Sequence, residues 1–275
     1  MRALARAGRQ AMARAAFADA HRHFERALTY RPVQDEGVRA GLLAERGRAA
    51  RALGKLPEAL ADLQEALDVF ERLHAVAATS GLVLDISRLL DLLGRHQESA
   101  KVAQRALGAL GEAPSQMRGQ LLALTARWSA FEGDFTAANL ALDQAAACAA
   151  KLDDPGVAGH ILHARSWTAS ARFDCTEAAE AGLAAVRLLG EAGEEWEASQ
   201  AGVLAQTVLI HAGRFAQAEG LTAGLMHFAR RVGHHAVDLW VLRNTATVAR
   251  MPHLFSNTSK PIRRWGHRGR TTRSH

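Results

Sequence analysis

The sequence predicts an all-α protein, a stack of about six helical hairpins with a possible half repeat at its end, and three observations carry that reading. Alanine and leucine dominate the 275 residues, which include only nine Phe, five Trp and one Tyr and no long Val/Ile/Thr alternation, so strands have little support. Similar segments begin at Ala15, Gly54, Gly94, Gly133, Ala171 and Gly213, separated by 39, 40, 39, 38 and 42 residues, a period within the range of helical solenoids. Between them, YRPVQDEG, GEAPSQ, LDDPG and GEAGEE combine Gly, Pro and acids, as helix ends and following starts require.

The elements follow in order. Each segment opens on a small residue that can close a helix, and two positions on stands an apolar one, Phe17, Leu56, Phe135, Phe173 or Phe215, with His96 the exception. Five positions after the small residue come Ala20, Ala59, Ser99, Ala138, Thr176 and Ala218; twelve after it come Ala27, Ala66, Ala106, Ala145, Leu183 and Leu225. Small side chains at these helical spacings let an antiparallel partner approach closely, while Phe24, Leu63 and Leu142 fill the groove beside it. The second helices of the hairpins are therefore expected near 16–29, 56–74, 96–110, 135–151, 174–190 and 215–232. Their first helices are expected near 2–14, 38–52, 78–93, 116–131, 157–170 and 195–211. A coiled coil is disfavoured, because the pattern stops every 15 to 20 residues and restarts instead of sustaining a/d heptads. Short connections stack successive hairpins, which implies an elongated body.

Residues 234–250, HHAVDLWVLRNTATVAR, read as a further first helix whose apolar residues cover much of its circumference. The following MPHLFSNTSKP argues against a matching second helix, so Leu239, Trp240 and Leu242 are candidates for self-association. The division is thus 1–250 as the repeat domain and 251–275 as a basic tail expected to be disordered.

Charge is unevenly placed. The net +6 resides in Lys260, Arg263, Arg264, Arg268, Arg270 and Arg273 of that tail, which has no acid, and residues 1–250 sum to zero. Arg263, Arg264, Trp265, Arg268 and Arg270 offer phosphate contacts and one stacking ring, a nucleic-acid reading that lacks any folded recognition motif and ranks behind peptide binding. Two cysteines, Cys148 and Cys175, form no metal-ligand spacing and fit a reducing compartment. With no signal-peptide form at the N-terminus and no run of about 18 apolar residues, a cytoplasmic protein without membrane contact is expected.

Gly8, Phe17, Ala20, Phe24, Ala27 and Pro32 after Leu4, and Leu43, Gly47, Gly54, Leu56, Ala59 and Ala66 in the next segment, resemble the tetratricopeptide repeat. The resemblance spans nearly all of residues 1–250, weakens from Ala171 onward, and has a repeat near 40 residues instead of the family's 34. It implies a right-handed superhelical solenoid whose first helices line a concave surface. Repeats of this length resemble the sensory or scaffold region of large bacterial regulators, such as ATP-dependent transcription activators and cyclase-linked proteins.

Catalytic motifs are absent from the sequence: no G-x-x-x-x-G-K-[ST], no G-x-S-x-G and no H-E-x-x-H. His160 and His163 form an H-x-x-H pair without a third ligand nearby and read as packing or surface histidines, not a metal site. Glu191, Glu194, Glu195 and Glu197 read as acids at a helix start, and the GHH stretch at Gly233 to His235 as an interhelix turn. No catalytic residue, metal or cofactor is expected.

One series exceeds the generic repeat. Six residues before each small turn residue stand Arg9, Arg48, Arg88, Arg127 and Arg165, with Thr207 in the sixth. The resemblance places this position on the concave surface, where an arginine ladder would suit the carboxylates of an acidic peptide or protein segment. The alternative is that each arginine pairs with an acid of its own solenoid, such as Glu45, Asp85, Asp91 or Glu132.

Overall fold

Among the residues where the backbone passes through the left-handed region, one series marks the turn inside each hairpin, Ala15, Gly54, Gly94, Gly133, Phe173 and Gly213, with spacings of 39, 40, 39, 40 and 40 residues. Each passage closes one helix and opens the next. The N–H that follows the turn residue reaches back to a carbonyl five residues earlier, Lys55 to Ala50 at 2.9 Å and Asp174 to Ala169 at 3.0 Å, the bonding that satisfies orphan carbonyls at a helix end. A computed structural model describes residues 1–29, 35–232 and 240–247. Its helices are α1 (Arg2–Ala13), α2 (Phe17–Thr29), α3 (Glu36–Ala52), α4 (Leu56–Arg72), α5 (Val76–Leu92) and α6 (His96–Leu110). They continue with α7 (Gln116–Phe131), α8 (Phe135–Leu152), α9 (Pro155–Ala171), α10 (Cys175–Glu191), α11 (Glu195–His211) and α12 (Phe215–Val232). Residues 240–247 are again helical, and no strand occurs among the described residues. Helix starts are capped where the sequence supplies an acceptor, as where Asp154 accepts from the Val157 N–H at 3.0 Å.

The small residues behave as their spacing requires. Ala20, Ala59, Ala138 and Ala218 are all fully buried, and Ser99, also buried, donates its hydroxyl to the Ser87 carbonyl at 2.8 Å. The fifth hairpin corrects the expected register by two residues. Its left-handed residue is Phe173, not Ala171, so Cys175 follows at the apolar position and Phe173 itself is 89% exposed. Ala178 and Ala185, fully buried, take the places assigned to Thr176, which is exposed, and Leu183.

The elongated body is also corrected. Ala15 and Phe17 of the first hairpin turn and Ala52 of the second join Trp196 and Phe228 of the sixth hairpin in one buried apolar cluster. The array therefore curls until its ends meet across the axis, and the concave faces of the first helices converge.

Candidate functional site

The corrected register redraws the ladder. Six residues before the six turn residues stand Arg9, Arg48, Arg88, Arg127, Trp167 and Thr207. Arg165 is not a member, since two residues is about 200° around a helix. It lines instead a cleft of ≈ 400 Å³ with Asp143 of α8, Thr168 and Arg172 beside it, and Glu177 of α10. There its Nε lies 3.7 Å from Glu177, which also accepts from Arg172 at 2.8 Å.

Most ladder side chains reach a neighbouring repeat. Arg9 donates through Nε to Glu45 at 2.6 Å, and Arg48 likewise to Asp85 at 2.6 Å. Arg127 lies 2.6 Å from Asp91 and sets its guanidinium 5.3 Å from the ring centre of Trp167, a cation–π contact between consecutive ladder positions. Thr207 accepts from the Asn244 amide at 3.0 Å. Three of the four acids considered as internal partners, Glu45, Asp85 and Asp91, thus hold ladder arginines.

Arg88 is different, because it points into a cluster drawn from four hairpins. Arg51 lies three residues before its turn, Arg88 six, His163 ten, His160 thirteen and Glu197 sixteen. Steps of three and four keep them on one helical face, so equivalent faces of α3, α5, α9 and α11 supply them in diagonal order across the groove. Glu197 Oε1 is 3.2 Å from Arg51 Nη1 and 3.7 Å from Arg88 Nη1. The three side chains are 13–15% exposed. His160 Nε2 lies 2.8 Å from Glu194 and 2.9 Å from Arg88; one ring nitrogen serves both, donating to the carboxylate in one tautomer and accepting from the guanidinium in the other.

Electrostatics follows from this geometry. Burial by itself raises the Glu197 pKa, but Arg51 and Arg88, with His160 and His163, more than offset it and hold the group at about 2. His163 is pushed well below 6.5, first by burial and then by the charges of Arg127, His160 and Arg88. At neutral pH the cluster is a carboxylate between two guanidinium groups beside a neutral imidazole. Hydrogen bonding is incomplete: the buried Arg51 Nε and Nη1, His163 Nε2 and Glu197 Oε1 make no hydrogen bond of proper geometry. The arrangement holds charge and has no nucleophile with an adjacent base. Among the described residues no group of three or more His, Cys, Asp or Glu is placed to hold a metal.

Arg51 and Glu197 were missed in the sequence. Glu197 looked like a helix-start acid, yet it reaches across the groove, while Glu194 bonds His160 and Glu195 pairs with Arg231. A shared face at steps of three and four from the turn residues was the signal available.

The remaining candidates lie elsewhere. Trp240 and Leu242 are 44% and 50% exposed on the terminal helix. Leu239, the GHH stretch and all the tail residues, including Arg263, Arg264, Trp265, Arg268 and Arg270, fall outside the described residues. No helix among the described residues is long and apolar enough to cross a membrane.

The fold is a tetratricopeptide-repeat superhelix. It is similar to the Rap conjugation gene regulator of plasmid pLS20 in complex with the Phr* peptide, with 13% identity over 89% of this chain and 73% of that one and a TM-score of 0.59. It is also similar to a Rap protein complexed with competence and sporulation factor, with 15% identity over 90% and 74% of the two chains and a TM-score of 0.56. A tetratricopeptide repeat protein from Parabacteroides merdae matches with 13% identity over 95% and 94% and a TM-score of 0.50. At these identities the likeness establishes the fold alone. No protein-family model matches the sequence, and no curated protein matches it.

Proposed function

We propose that this chain is a noncatalytic, cytoplasmic interaction scaffold, the sensory part of a bacterial signalling or transcription regulator, and that its concave face binds an acidic peptide or protein segment. The observation that carries the reading is the row of Arg48, Arg88 and Arg127 at equivalent first-helix positions, with Arg51 beside Arg88 at the one Glu197 carboxylate. Guanidinium groups present planar forks of donors suited to carboxylates. The bound peptide in the similar pLS20 regulator complex supports a peptide as the kind of ligand. Self-association through Trp240 and Leu242 of the terminal helix belongs to the same reading.

Calorimetry with an acidic peptide and a neutral one of equal length tests it. Replacing Arg48 and Arg127 together with Gln should weaken the acidic peptide at least about tenfold, since each charge-assisted bond is worth about 1.5–3 kcal/mol. The circular-dichroism spectrum should be unchanged. Equal affinities before and after replacement would place the ligand elsewhere.

A further inference from the structure

Adjacent residues at the start of α11 bring the sixth hairpin against the second. Trp196 packs its ring 6.2 Å from Phe228 and shares a buried apolar cluster with Ala15, Phe17 and Ala52. Arg51 lies 5.9 Å from the Trp196 ring centre and 3.2 Å from the Glu197 carboxylate. One dipeptide of the sixth hairpin thus contacts the second hairpin by both an apolar and an ionic route, and Glu197 also reaches Arg88 of the third.

The ionic half is incompletely made. Glu197 stands between two guanidinium groups, yet its Oε1 and the Arg51 Nε and Nη1 atoms are buried without hydrogen bonds of proper geometry. An ion pair taken out of water is repaid only when its donors and acceptors are aligned. A carboxylate on a flexible peptide can align with both forks, and Glu197, tethered to the first turn of a helix, does not. Charge is also in excess on the cationic side, because Arg51 and Arg88 share the one Glu197 carboxylate while Glu194 is held by His160.

We infer that Glu197 is a built-in competitor for the ligand: with Trp196 it forms an autoinhibitory clasp, and an acidic peptide that takes Arg51 and Arg88 displaces Glu197 and frees the sixth hairpin from the first two. The inference rests on the reading of the concave face as an acidic-peptide site. It makes Arg51 a ligand contact alongside Arg88, and it makes the closed superhelix the unliganded state.

The test uses the full chain, small-angle scattering for its largest dimension and calorimetry for affinity. The probes are an amidated hexaglutamate peptide, an amidated hexaglutamine peptide, and a hexaglutamine peptide with a free C-terminus, which separates side-chain from terminal carboxylates. Glu197→Gln leaves two buried guanidinium groups without their anion, so it should expand the protein without peptide and bind hexaglutamate at least about tenfold more tightly than wild type. Glu197→Asp keeps the charge and should stay closed. Wild type should expand on saturation with hexaglutamate and not with amidated hexaglutamine, and Arg51→Gln should lose the interaction. A wild-type protein that binds hexaglutamate at unchanged dimension overturns the clasp and leaves the acidic-peptide reading standing, and this readout needs no variant to fold. If Glu197→Gln expands and neither it nor wild type binds any acidic probe, the displacement and the acidic-peptide reading both fall.

Discussion

Gly8 and Phe24 pack so closely that a Cβ on Gly8 would stand 2.5 Å from the Phe24 Cε1 atom. Phe24, on α2, is fully buried in a cluster with Ala5 of α1 and Leu42 and Ala49 of α3. Gly8→Ala should therefore destabilise the protein by about 1–3 kcal/mol through overpacking, although alanine improves helix propensity by about 1 kcal/mol. Gly41, on α3 with no other atom within 4 Å of an added Cβ, supplies the contrast: Gly41→Ala should stabilise by about 0.5–1 kcal/mol. Urea unfolding of the two variants reads both signs. A stabilising Gly8→Ala would mean that the first hairpin is packed less tightly than this contact requires.

Acid should loosen the fold in two stages with different owners. His163 is held neutral, its pKa well below 6.5, so below pH 6.5 the unfolded chain takes up a proton that the folded chain refuses. Each pH unit then removes about 1.4 kcal/mol until the ring titrates in the folded state. Glu197 behaves as a depressed carboxylate: its contribution is complete above its ordinary pKa of 4.5 and is lost as pH falls from 4.5 to about 2. The urea midpoint, followed from pH 7.5 downward, should fall less steeply between pH 6.5 and 5 in His163→Gln than in wild type. Identical slopes would show that His163 is protonated in the folded protein.

Element boundaries were legible because the same small residues recur at turns and five and twelve positions later, each with a packing reason. The fifth hairpin misled for a physical reason. Phe173 occupies a left-handed turn that glycine fills in four of the other hairpins, with φ 62°, and an aromatic residue there imitates the buried position two residues on. That slip placed Arg165 in the ladder and hid Trp167, whose ring instead receives Arg127. The central cluster was harder to read. Arg51 and Glu197 come from the second and sixth hairpins, and although their offsets from the turn residues put them on a shared face, their meeting depends on accumulated superhelical curvature, which that spacing alone does not report.

The terminal helix is anchored on one face and open on another. Val241 and Asn244, three residues apart, are buried, and the Asn244 amide donates to Gln206 at 3.1 Å and to Thr207 at 3.0 Å. The Gln206 side chain is itself buried and donates to Thr222 at 2.9 Å, so Asn244 completes a chain of polar contacts running back into α12. Asn244→Ala should cost about 1–3 kcal/mol, because the buried Gln206 oxygen loses its donor. Trp240 and Leu242 face outward, with the Arg243 guanidinium 3.7 Å from the Trp240 ring centre, and they are the surface through which self-association is proposed. Leu242→Gln removes apolar area there without touching the Asn244 anchor, so it should shift the protein toward monomer at unchanged thermal stability. Light scattering after size-exclusion chromatography reads the difference. A wild-type chain that stays monomeric at high micromolar concentration would show that this exposed face does not seek a second copy, whereas a dimer that Asn244→Ala dissolves and Leu242→Gln leaves intact would place the contact on the wrong side of the helix.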